Sequence, residues 1–231
     1  MSYIHAKDIP HIDLYMDQLT TFMEDNLSQM KRYPEDKILT KTMINNYTKN
    51  KLLPPPNKKK YSTDHMILLI FIYYFKSFLP INDIQKILEP LLEQVKAGDF
   101  SKLESIYSHI FSFEKSEMNS LKEDLKRKLE LSKTAFSNYP EEERANLQKF
   151  MLICLLGFDI YLKKQMIETI LDVKEEEFFH TLKCHIISII AEIQTAIYTT
   201  NGSGRRPCLF CNFQICVPFS QHHCNFITLR E

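Results

Sequence analysis

Glycine is scarce: Gly98, Gly157, Gly202 and Gly204 are all that the 231 residues contain. Rossmann and P-loop sites both need closely spaced glycines opening a helix, so a nucleotide-dependent enzyme is not expected. Nucleophile elbows, H-E-x-x-H pairs and kinase signatures are missing as well, and the chain reads as a non-enzymatic protein with no cofactor. No apolar run approaches the roughly twenty residues that a bilayer requires. Met66 to Phe75 is closed by Lys76, and Phe150 to Phe158 by Asp159. Both read as buried core helices. Met1 to Pro10 shows no basic region followed by an apolar stretch, so a cytoplasmic protein without a membrane role is expected. Alternating apolar and polar residues appear nowhere with conviction, which points to an all-α fold. With no export signal, the six cysteines are not expected to form a disulfide framework.

Lysine and arginine together number 29, as do aspartate and glutamate, so only the placement of charge is informative. Between Lys37 and Thr63 there are seven lysines and no acidic residue. Such a segment is a local electrostatic footprint within a neutral protein. A solvated lysine loop is the plainer reading, and the surrounding pattern decides between the two. Thr40 is a helix N-cap candidate, followed by Lys41 to Asn50 with Met43, Ile44 and Tyr47 on the inward face. Leu52-Leu53 comes next. Pro54 to Pro56 forbid both helix and central strand, and Lys58 to Lys60 form a basic tip. A helix beside a basic hairpin is how a winged helix-turn-helix meets duplex DNA, the helix in the major groove and the wing on phosphates.

Around this segment the period is helical. Leu14, Leu19, Phe22, Met23 and Leu27 place a helix over Asp13 to Met30, broken by Tyr33-Pro34. Ser62 or Thr63 caps a very apolar helix reaching Phe78. Ile84, Ile87, Leu88, Leu91 and Val95 stripe a fourth helix that stops at Gly98. Beyond it come longer, more charged helices. Leu103, Ile106, Tyr107, Ile110 and Phe111 form one stripe, and Met118, Leu121, Leu125 and Leu129 form a narrower one that suits a two-helix seam. Pro140 and Glu141 to Glu143 start another helix, with Leu147, Phe150, Met151, Cys154, Leu155 and Phe158 on its buried face. A last amphipathic helix spans Glu175 to Thr199. No internal repeat is present. The expected organisation is therefore a DNA-binding domain over 1–98, a helical dimerisation or effector region over 99–200, and an irregular Cys-rich tail over 201–231.

Thr42-Met-Ile-Asn-Asn-Tyr-Thr-Lys-Asn-Lys-Leu-Leu53 resembles the recognition helix of MerR-type regulators. Tyr61-Ser62 matches the tyrosine that closes the wing and the cap of the following helix, and Leu79 to Leu88 resembles the short helix completing that domain. More closely, Lys41 to Leu88 is similar to an uncharacterised MerR-like family of Gram-positive bacteria carried as a domain of unknown function, over about residues 10 to 100. The resemblance implies a MerR-like winged helix-turn-helix with a small wing, followed by a C-terminal helical region. Asn45 and Asn46 stand where MerR-type proteins have an arginine and a tyrosine, and Lys51 where a glycine is usual.

The function expected is a transcriptional regulator binding double-stranded DNA as a homodimer on a near-palindromic operator. Lys41, Thr42, Asn45, Asn46 and Lys49 would face the major groove, where asparagine can bond an adenine edge. Lys58, Lys59 and Lys60 would hold phosphates, and Tyr61 would pack with its hydroxyl within reach of one. The later helices would form the dimer and a site for a small-molecule effector. The alternative is a helical adaptor that uses the same fold to bind protein. His180 and Cys184 stand four apart on a helix, a metal-ligand spacing. The plainer reading is a buried cysteine and a surface histidine. Cys208-x-x-Cys211, Cys216 and His222-His223-Cys224 carry a zinc-like pattern without a clean second pair. No metal is expected, and an irregular or foreign end is the preferred reading of the tail.

Overall fold

The computed structural model describes residues 4–96 and 100–173. These residues are mostly helical, with one two-stranded sheet. Two units divide the chain, Met1–Asp159 and Ile160–Glu231.

In the first unit, β1 (Leu14–Tyr15) leads directly into α1 (Met16–Leu27). Tyr15 is extended and its N–H donates to Gln18 Oε1 at 2.9 Å, so the first turn of α1 opens with a satisfied donor. Leu19, Met23 and Leu27 recur every fourth residue, and all three are fully buried. A 3₁₀ turn, Ser28–Met30, ends the helix. Tyr33 and Asp36 then close a turn reciprocally, through Asp36 N–H to the Tyr33 carbonyl and Tyr33 N–H to Asp36 Oδ2.

Helix α2 (Lys41–Lys49) packs against α1 and buries Ile44 and Tyr47. Helix α3 (Thr63–Phe75) is buried on every side from Asp64 to Ile72, the pattern of a central core helix. Each fully buried Leu or Ile there contributes about 1.5–3 kcal/mol of transfer free energy. After Leu79-Pro80, α4 (Ile81–Lys96) buries Ile84, Leu88 and Leu92 at four-residue spacing. Helix α5 (Phe100–Phe111) packs on both α3 and α4. Its Tyr107 is fully buried, donates its hydroxyl to the Ile4 carbonyl, and joins Phe71 and Phe111 in an aromatic cluster with centroids 5.5 and 4.4 Å away. The packing thus runs on through α5, past the boundary expected at residue 98.

Helices α6 (Glu114–Thr134) and α7 (Glu141–Asp172) follow. Ser132 Oγ donates to the Gln148 carbonyl at 2.6 Å, Gln148 returns its amide to the Lys133 carbonyl at 2.8 Å, and buried Lys128 bonds Asp124 and Asp159. Those hydrogen bonds hold Lys128 protonated and Asp124 ionised. The stripe Met118, Leu121, Leu125 and Leu129 is not the seam between these helices: its residues are exposed, and the face meeting α7 carries Lys128 and Ser132. Period alone marks which residues share a face, not what that face meets. Phe150, Phe158 and Cys154 of α7, expected on a buried face, are exposed too. In the second unit, the described part of α7 has Gln165 donating to the Tyr161 hydroxyl at 2.8 Å and a Lys164–Glu168 pair at 3.5 Å.

The all-α expectation needs one correction. Leu14 pairs with Tyr61 and Tyr15 with Lys60 in an antiparallel ladder between β1 and β2 (Lys60–Tyr61). Two residues are too few to show an alternating pattern. The helix expected at 175–199 and the Cys-rich tail lie outside the described residues, as do His180 and Cys184.

Candidate nucleic-acid interface

The basic segment has three parts, each with its own local cause. Thr40 is extended, and its side chain accepts the Met43 N–H at 3.1 Å, as an N-cap should. From there α2 turns Ile44 and Tyr47 inward and leaves Lys41, Thr42, Asn45, Asn46 and Lys49 exposed. Lys41, Asn45 and Lys49 stand one above the next at four-residue intervals, with Thr42 and Asn46 on the adjoining row. Met43 departs from expectation, lying 36% exposed at the margin of the inward face. Lys41 carries a second complication, since its ammonium pairs with Asp17 of α1.

The end of α2 is a Schellman motif. Lys51 N–H donates to the Thr48 carbonyl at 3.1 Å and Leu52 N–H to the Tyr47 carbonyl at 2.8 Å. Leu52 and Tyr47, the positions whose hydrophobic contact typifies this cap, are both buried. The motif puts Lys51 at φ 59°, a left-handed position where glycine is normal. Lys51 is exposed, and it was missed as a candidate ligand although the sequence marked it as a lysine in a glycine's place.

Pro54 to Pro56 then lead to a two-residue turn. Asn57 and Lys60 exchange both backbone hydrogen bonds, at 3.0 and 2.8 Å, and the residues between them, Lys58 and Lys59, have φ of 48° and 66°. Two consecutive positive φ values across such a pair define a type I′ turn. Asn-Gly or Asp-Gly normally fills these positions. Here two lysines do, both exposed. Left-handed backbone costs a residue with a Cβ about 1–2 kcal/mol, so the tip holds strain where substitution could remove it. Prolines on the approach leave the turn without a paired first strand. Its return arm, Lys60–Tyr61, pairs with β1 instead.

This pairing fixes Lys60 and Tyr61 differently from the tip. Lys60 is half-buried, with its ammonium 5.3 Å from the centroid of the Tyr15 ring. Tyr61 is 3% exposed, its ring edge-on to His65 at 5.4 Å, and burial raises its pKa. Tyr61 is therefore a core residue, and the phosphate contact expected of its hydroxyl is withdrawn. A period-2 register explains the split: in a strand of two residues, one faces in and the other out.

His65 fastens the base of this arm. Its Nδ1 accepts the Ser62 N–H at 3.1 Å and lies 2.8 Å from Ser62 Oγ, a capping box with histidine in the third position. An Nδ1 that accepts must be unprotonated, which places the proton of the neutral ring on Nε2. Among the described residues, buried Nε2 has no hydrogen-bond partner. Burial pushes the His65 pKa down, opposed by the Pro55 and Pro54 carbonyls and by Asp13. Thr63 Oγ1 ties the same corner to the Pro10 carbonyl at 2.9 Å.

Residues 4–110 match a domain of unknown function, DUF1836. The DUF1836 match takes in both basic elements and every helix from α1 to α5, ending one residue short of Phe111. Neither the curated proteins nor the solved structures contain a match. Among the described residues no helix is long and apolar enough to cross a membrane, and no group of three or more His, Cys, Asp or Glu side chains could hold a metal ion.

Proposed function

We propose that the DUF1836 domain is a non-enzymatic, MerR-like winged helix-turn-helix that binds duplex DNA and regulates transcription. On this reading Thr42, Asn45, Asn46 and Lys49 of α2 enter the major groove. Lys51, Lys58 and Lys59 lie on the neighbouring phosphates, and Lys60 adds charge at the base of the turn. The observation that carries it is the pair of lysines held at positive φ in the turn. A sequence selected only for folding places Asn-Gly there, whereas strain retained at an exposed charged tip is what a binding site explains. Leu53 to Asn57 reaches at most about 14 Å, comparable with a major groove roughly 12 Å wide. The turn and the end of α2 are thus close enough to serve one stretch of duplex. A domain of this size reads few base pairs, so the protein acts as a homodimer on a near-palindromic operator.

Fluorescence anisotropy against duplexes tiled from upstream of the gene, with a scrambled duplex at two salt concentrations, tests this. Tight binding to one tile that survives the higher salt is expected. Weak binding to every duplex that vanishes with salt would reduce the lysines to a generic patch, and no binding at all would favour the adaptor reading.

A further inference from the structure

Lys76, next after α3, has half of its side chain buried and its Nζ donates to the Ile38 carbonyl at 2.8 Å. Its ammonium sits 4.6 Å from the Tyr73 ring centroid. A lysine ammonium has three donors, and among the described residues no carboxylate is within ion-pair reach of this one. Burial alone lowers its pKa, with no neighbouring charge opposing the effect. An unpaired, partly desolvated cation is costly unless an anion visits it.

Lys76 lines an open cleft of about 450 Å³ together with Met30, Tyr73, Tyr74, Lys37 and Asp36. That volume lies in the small-molecule range of about 300–1,000 Å³. Glu24 pairs with Lys31, and Asp36 accepts the Tyr33 N–H at 3.0 Å, a bond that orients its carboxylate without cancelling the charge. Lys37 and Lys76 remain as cations beside two phenol rings and the thioether of Met30. We propose that this cleft binds a small aromatic carboxylate, its carboxylate on Lys76 and Lys37 and its ring against Tyr73 and Tyr74.

Such a ligand shares Lys76 with the Ile38 carbonyl, which holds one of its three donors. Ile38 and Leu39 are buried and lead straight into Thr40, the cap of α2. Ligand binding therefore acts on the segment that positions α2, and this coupling rests on the DNA-binding reading. Ligand binding by itself does not.

The test is calorimetric titration of the full chain with benzoate, with benzyl alcohol and inorganic phosphate as controls. Benzoate is expected to bind and benzyl alcohol to bind at least about tenfold more weakly. Lys76→Gln keeps a donor for the Ile38 carbonyl and should weaken benzoate by about tenfold or more, whereas Lys76→Arg should retain it. Ring-labelled tyrosine spectra of the unmodified chain should show benzoate shifting Tyr73 and Tyr74 ahead of other tyrosines. Failure of benzoate to bind at about 10 mM, undiminished binding in Lys76→Gln, or shifts only at other tyrosines would overturn the proposal. Phosphate binding as well as benzoate would overturn its aromatic half. A DNA titration with and without benzoate then tests the coupling: an unchanged DNA affinity overturns it, and absence of any DNA binding refutes the regulator while leaving the benzoate result intact.

Discussion

Replacing Lys58 and Lys59 by Asn and Gly should make the protein more stable and worse at binding DNA. The backbone at these positions has φ of 48° and 66°, and Asn57 and Lys60 already exchange both hydrogen bonds, so Asn-Gly enters the same turn without rearrangement. Relief of left-handed strain is worth about 1–2 kcal/mol per residue at most, and the greater flexibility of glycine in the unfolded chain returns roughly 0.5–1 kcal/mol. A net gain of about 1–2 kcal/mol follows, and for a domain of this size that raises Tm on the order of 5–10 °C. DNA binding moves the other way. Each phosphate contact contributes about 0.9 to the slope of log K against log salt, so losing two removes about 1.8. At 0.1 M salt the same 1.8 log units amount to an affinity loss on the order of sixtyfold. Thermal melts and anisotropy at several salt concentrations, on one preparation, read both effects. A Tm that stays put or falls refutes the strain argument. A raised Tm with unchanged affinity and salt slope removes the turn from the DNA interface.

Two further outcomes are expected. Because burial depresses the His65 pKa, the unfolded chain takes up the proton first as pH falls. The stability that neutral His65 provides is complete above the ordinary histidine value of about 6.5 and drains away below it, by at most about 1.4 kcal/mol per pH unit. His65→Gln keeps the capping box with a side chain that does not titrate, so urea melts at descending pH should flatten over that window, and an identical pH dependence in the variant would clear His65. Thr40→Ala removes the acceptor for Met43 N–H and should cost about 1 kcal/mol, lowering specific DNA affinity more than non-specific affinity. A loss equal for operator and scrambled duplex would contradict the assignment of α2 as the reading helix.

Much of the fold could be read in advance where local chemistry dictates it. Thr40 and Ser62 are caps because their oxygens accept an amide within one turn, and Lys41 to Lys49 is a helix with Ile44 and Tyr47 inward because the period says so. The β1–β2 pair was hidden, since its two short arms lie far apart in sequence and neither has a pattern by itself. Pairing with β1 is also why Tyr61 turns inward, which no property of Tyr61 announces. The Met118 to Leu129 stripe misled for a related reason: hydrophobic spacing reports that a face is shared, while Lys128 meets α7 because Asp159 accepts its ammonium. Lys51, Lys58 and Lys59 were visible as residues but not as backbone conformations. Their positive φ values follow from the Schellman cap and the two-residue turn, both set by what lies on either side.

The return arm of the basic turn is clasped by residues 14 and 15, and this has a consequence for how the protein is made. A contact between such distant residues closes a long loop, whose entropy must be met before the pairing repays it. Helix α2, nine residues long, is marginal by itself, and the turn beside it gains its anchorage only when its return arm pairs with β1. A ribosome-bound fragment ending near Asn50 would carry the residues of α2 without the turn that follows them. The placement of the lysine tip thus depends on a pairing with residues about 45 positions back along the chain, which a fragment ending before Lys60 cannot make.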